Sequence, residues 1–172
     1  MIRFSAIGTA MLICVSILSS CEKGYDYIEE EISPKRFAVV NDTEYQLTNA
    51  SFTKKSGDIN LEAQTDGKDL TIYLTMKDAQ WNTEYDLNDE SDFGSKSLQI
   101  TFSDVSKECY TIGIVGGPNQ MNVDKGYSTE IRTVETAKAK ICKNDDGTYS
   151  VFASAEGNGL SFQMDLDNVT RK

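Results

Sequence analysis

The sequence predicts an all-β fold, an antiparallel β-sandwich, and three observations carry that prediction. From Phe37 onward, apolar and polar residues alternate with a period of two. Turn-forming pairs punctuate the alternating runs. No long segment has helical period; residues 77–84 have room for a single helical turn at most. A small β-barrel satisfies the same observations and stays open as the alternative.

The runs follow in order. Leu70, Ile72, Leu74 and Met76 alternate with Thr71, Tyr73 and Thr75. Leu98, Ile100 and Phe102 flank Gln99 and Thr101, and Tyr110, Ile112 and Ile114 flank Thr111 and Gly113. Leu160, Phe162, Met164 and Leu166 close the series. Between runs stand Asn41-Asp42, Ser56-Gly57, Asp66-Gly67, Asp145-Asp146-Gly147 and Gly157-Asn158-Gly159. These residue types tolerate the positive φ of tight turns. Gly116-Gly117-Pro118-Asn119 is likewise a turn, since no phosphate-loop spacing follows it.

A repeat runs through the pattern. Displaced by 90 residues, Gly57 falls on Gly147 and Gly67 on Gly157. Ile59, Leu61 and Ala63 fall on Tyr149, Val151 and Ala153, and Leu70–Met76 falls on Leu160–Leu166 without a gap. Duplicated hairpins explain this, and so do two unrelated hairpins of equal length. Either origin predicts two hairpins with these residues facing inward.

The first 20 residues have a different character. Arg3 precedes an apolar run from Ala6 to Leu18, the layout of an export signal. The run is shorter than the roughly 20 residues a membrane-spanning helix needs. It ends in Leu18-Ser19-Ser20-Cys21. This resembles the lipobox of bacterial lipoproteins. The resemblance implies cleavage before Cys21, lipid on the Cys21 thiol and attachment to a membrane. Two or three acyl chains anchor firmly where one does not. The acidic residues soon after Cys21, in the run from Glu22 to Glu31, are similar to the surface-export signal of Bacteroidota lipoproteins, with Lys23 and Gly24 interrupting the acidic run. The expected location is therefore the outer membrane, with the cell surface slightly favoured. The expected organisation is a signal at 1–20, a lipidated Cys and acidic tether at 21–36, and one domain at 37–172.

Val39-Val40-Asn41-Asp42-Thr43-Glu44-Tyr45-Gln46-Leu47, with a closing hairpin around Asn144-Asp145-Asp146-Gly147-Thr148-Tyr149, resembles small Bacteroidota lipoproteins of uncharacterised function. The resemblance implies an all-β extracytoplasmic domain. It brings no catalytic residues with it.

Composition narrows the function classes. The chain has 27 acidic and 17 basic side chains and a net charge of −10. Such a surface repels nucleic acid. There is no histidine, which excludes Ser-His-Asp catalysis, Cys-His catalysis and histidine-ligated zinc. The chain is accordingly read as a non-enzymatic binding or accessory module without a cofactor. Its expected partners are the membrane, through the lipid on Cys21, and an envelope protein or glycan. A carboxylate-dependent hydrolase acting on glycans is the alternative. It would show a cleft with two carboxylates about 5–10 Å apart.

Three groups are candidate sites. Cys109 and Cys142 are the only cysteines after Cys21. Both have the parity of the wet face, and an exported protein meets an oxidising compartment, so a disulfide is expected, with two free thiols as the alternative. Trp81 and Tyr85 could stack on a sugar or anchor a partner, or could pack at a sheet edge. Asp86, Asn88, Glu90 and Asp92 place oxygen ligands at alternate positions, as a calcium loop does. Ser91 and Ser97 stand where that loop needs Gly and Glu, so a solvated loop without metal is the preferred reading.

Overall fold

Alternation becomes strand pairing in the computed structural model, which describes residues 34–172. The expected signal, Cys21 and most of the tether lie outside the described residues. Twelve strands form: β1 (Arg36–Val40), β2 (Thr43–Gln46), β3 (Asn49–Lys55), β4 (Asp58–Gln64), β5 (Leu70–Met76), β6 (Glu84–Asp86), β7 (Lys96–Phe102), β8 (Cys109–Ile112), β9 (Gln120–Lys125), β10 (Ser128–Lys143), β11 (Tyr149–Gly157) and β12 (Leu160–Arg171). β1 begins at Arg36, one residue inside the segment expected to be tether. Among the described residues, no helix is long and apolar enough to cross a membrane.

The strands make two sheets that share two members. One sheet runs β2-β1-β12-β11-β10-β6. The other runs β3-β4-β5-β7-β8-β9 and continues into the first half of β10. Its opposite edge takes the tail of β12, where Thr170 and Arg171 lie parallel to Ser51 and Phe52. The long strands β10 and β12 thus turn the corners of a sandwich. The hydrogen-bond path closes on itself through β11 and β12, but β1, β2 and β6 lie off that ring, so it is not a clean barrel.

Both corners have a local cause. β10 changes sheet at an irregularity between Val134 and Thr136, and an unpaired extra residue bends a strand. β12 turns at a second irregularity, past Leu166, where Asn168 has φ 53°. Asn is among the few residues that adopt this conformation at low cost. One apolar cluster fills the space between the sheets, with Phe52, Leu61, Leu74, Ile100, Phe162 and Met164 all nearly inaccessible. Each large side chain buried in this way contributes about 1.5–3 kcal/mol.

The repeat predicts two hairpins, and both form. β4 pairs β5, β11 pairs β12, and every apolar residue named in the repeat is buried. The third predicted run differs. β8 ends at Ile112, and Ile114 is 39% exposed rather than inward. Gly113 is the reason: it has φ 88°, and a Cβ there would sit 2.2 Å from the carbonyl oxygen of Lys96. The chain passes too close to β7 to continue as a regular strand.

Candidate ligand-binding cleft

Cys109 and Cys142 are not bridged to each other. Cys109 is a free thiol, half-buried in β8, and its sulfur accepts a hydrogen bond from Phe102 N at 3.2 Å. Cys109 lies opposite Asp124 in one sheet, whereas Cys142 is buried and lies opposite Ser150 in the other. Cys142 is buried despite its wet-face parity, and parity does not say which strands become neighbours, which a disulfide needs.

The acidic loop folds on its own backbone. Asp86 Oδ1 accepts from Asn88 N at 2.9 Å, and Asp89 Oδ1 accepts from Ser91 N at 2.8 Å. Asp92 pairs with Lys96, and Asn88 is buried. The side chains of Asp86, Asn88, Glu90 and Asp92 are not gathered around a point. Among the described residues, no group of three or more Asp, Glu, Cys or His could hold a metal ion. Asp89 has its pKa lowered by the hydrogen bonds from Ser91, which turn structure alone explains.

Trp81 and Tyr85 are half-buried against the core. The Trp81 ring centre lies 5.8 Å from that of Phe52 and 4.9 Å from that of Tyr149, and Lys54 Nζ sits 4.0 Å from it. Tyr85 OH accepts from Gln80 N at 2.9 Å, with Lys96 Nζ 4.6 Å from the ring. Both rings are already in contact with cations and neighbouring side chains.

Two polar sites have no signature in the sequence. The first joins three turns and strands. Arg132 on β10 donates to both Glu108 oxygens, at 2.8 and 3.0 Å, and also binds Glu130. Tyr110 OH lies 3.1 Å from Glu108 Oε2, Gly159 O and Asn41 Nδ2 alike. The Arg132 guanidinium holds the Glu108 carboxyl below the usual carboxylate range, and Glu108 in turn pushes Arg132 up. Burial raises Tyr110. A Glu108 carboxyl held ionised against the Arg132 guanidinium is a poor proton donor near neutrality. The arrangement is a lock between β8, β10 and the β11–β12 turn.

The second site is a cleft of about 520 Å3, where the tail of β12 joins β3. Register builds it: Thr170 lies opposite Ser51 and Ser51 opposite Glu62, while Asn49 lies opposite Gln64. Arg36 from β1, Thr48 from the β2–β3 corner, Ala50, Lys68 and Lys172 complete the lining. Lys172 is held by its backbone, its N–H donating to Phe52 O at 2.9 Å. Lys68 sits in the β4–β5 turn with φ 56°. That turn is pinned by Thr65, whose hydroxyl bonds Asp69 and accepts from Leu70 N at 3.2 Å. The Thr65 hydroxyl holds Asp69 below its ordinary pKa.

The electrostatics of the cleft oppose those of the chain. Among the described residues, three basic side chains, Arg36, Lys68 and Lys172, line it with one acidic side chain, Glu62. Glu62 accepts from Gln64 and lies 3.5 Å from Tyr73 OH. The Arg36 Nε is buried and has no hydrogen-bond partner among the described residues. None of Cys109, Cys142, Trp81, Tyr85 and the Asp86–Asp92 loop borders this cleft. Its residues come from five separated segments, each reading in sequence as an ordinary solvated strand face or turn.

Comparison with known proteins finds no matching family model, no matching curated protein and no matching solved structure.

Proposed function

We propose that this chain is a lipid-anchored envelope protein whose β-domain serves as a non-enzymatic binding or accessory module. The anchor is the lipid expected on Cys21, the location is the outer membrane, and the partner is an envelope protein or a glycan. The observation that supports binding over hydrolysis is the make-up of the cleft. It has one acidic side chain among basic ones, where glycoside hydrolysis uses a pair of Asp or Glu side chains. Glu108 and Glu130 are a poor substitute, since Arg132 neutralises both.

The anchor is tested by Cys21→Ser. Expressed with a labelled fatty acid, the parent chain should take up label and sediment with membranes, and the variant should do neither. Labelling of the variant equal to the parent would reject the anchored reading. Incubation with polysaccharides tests the other half. Release of reducing ends that is lost in Glu62→Gln would replace the binding module with a hydrolase.

A further inference from the structure

We infer that the cleft between β3, β4 and the tail of β12 binds a small hydroxylated anion, one that carries a carboxylate or a phosphate on a polyhydroxylated frame. The inference deepens the binding-module reading and rests on it, but not on the lipid anchor.

Charge supplies the first argument. Elsewhere in this acidic domain, Lys35, Lys96, Arg132 and Lys138 each pair with an acid. At the cleft, Arg36, Lys68 and Lys172 line one recess with a single acidic side chain, Glu62, which accepts from Gln64. A buried donor without an acceptor is unfavourable. Arg36 Nε is closed to solvent and has no acceptor among the described residues, so no neighbouring carboxylate already holds this guanidinium there. A guanidinium also presents several donors in one plane, which suits carboxylate and phosphate.

Lining chemistry supplies the second. Thr48, Ser51 and Thr170 offer hydroxyls, and Asn49 and Gln64 offer amides. These groups both donate and accept, as the hydroxyls of a sugar-like frame require. Among the described residues, no aromatic ring lines the cleft and Ala50 is its only apolar residue, so they offer a neutral ligand no stacking surface. The volume of about 520 Å3 falls within the range of small-molecule sites. A positive recess on a negative body also concentrates anions locally.

The test is calorimetric titration of the full chain, held in non-ionic detergent at low ionic strength so that screening does not mask the interaction. The probes are glucuronate, glucose 6-phosphate, inorganic phosphate and glucose. Glucuronate or glucose 6-phosphate should bind, glucose should not, and inorganic phosphate should bind about tenfold more weakly than the sugar anion. Arg36→Gln and Lys68→Asn should each weaken binding by about tenfold, the loss expected for a charge-assisted contact. Lys68→Asn keeps a residue that tolerates positive φ, so it remains informative if Arg36→Gln does not fold. Binding of glucose as tight as of its phosphate, equal binding of bare phosphate, indifference to both substitutions, or no binding by any probe would each overturn the inference. Cys21→Ser reports on the anchor independently of all these outcomes.

Discussion

The β4–β5 and β11–β12 hairpins carry the same inward pattern and end in opposite ways. In the first, Gln64 pairs Thr71, and the intervening residues form a wide turn that carries Lys68 to the open cleft. In the second, Gly157 pairs Leu160 across a two-residue turn, and the Gly159 carbonyl is taken up by Tyr110 and Asn41. The registers differ accordingly. Leu61 faces Leu74, while its counterpart Val151 faces Leu166, two residues beyond Met164. A slip of two preserves which face is buried, whereas a slip of one would invert it. The core therefore constrains the parity of both hairpins but leaves their turns free to diverge, one into a recess and the other into a lock.

Aligned glycines give the widest separation between the two. A Cβ on Gly157 would lie 2.5 Å from Thr133 O, a backbone atom, whereas one on Gly67 would meet nothing nearer than Asp69 Oδ1 at 4.0 Å. Gly157→Ala should cost about 2–3 kcal/mol of stability, as overpacking does. Urea unfolding measures it, and a cost no greater than that of Gly67→Ala would erase the distinction. Next in size is Glu108→Ala, which strips Arg132 and Tyr110 of a shared partner. With the pair partly solvated, about 1–2 kcal/mol should be lost.

Acid separates the two ends as well. Arg132 lowers the Glu108 pKa in the fold, so the stability Glu108 contributes is complete above the ordinary glutamate value. It is lost as pH falls through the lowered folded value. Unfolding free energy should therefore drop on acidification below about pH 4.3, less steeply in Glu108→Gln than in the parent. Identical acid limbs would deny the lock a role in stability. Gly67→Ala should have a smaller effect of opposite sign, stabilising by about 0.4–1 kcal/mol through the unfolded state. The smallest change belongs to Lys68→Asn, within about 0.5 kcal/mol, because its charge has no partner to lose. A larger thermal shift would mean that Lys68 belongs to the framework rather than to a binding surface.

The fold was largely legible because two-residue periodicity is a direct imprint of a half-buried strand. Leu70–Met76 and Leu160–Leu166 are strands for that reason. Ile114 misled because its alternation continues past Gly113, and the close approach to Lys96 that stops β8 is a tertiary fact. Cys109 and Cys142 misled in the same way, since parity carries no information about neighbours. The candidate site was not legible at all. Thr170, Ser51 and Glu62 form one row across three strands, and Arg36 reaches it from a fourth, a combination that exists only after the sandwich closes. Trp81, by contrast, drew attention through rarity, and its rings of contact are those of a packed edge.

The parallel pairing of Thr170 with Ser51 also has a consequence in time. A chain made from its N-terminus has β3 and β4 long before it has the residues that wall the cleft on the other side. Long-range pairings of this kind form late. Any recognition performed here would be withheld from a growing chain and switched on when β12 joins β3.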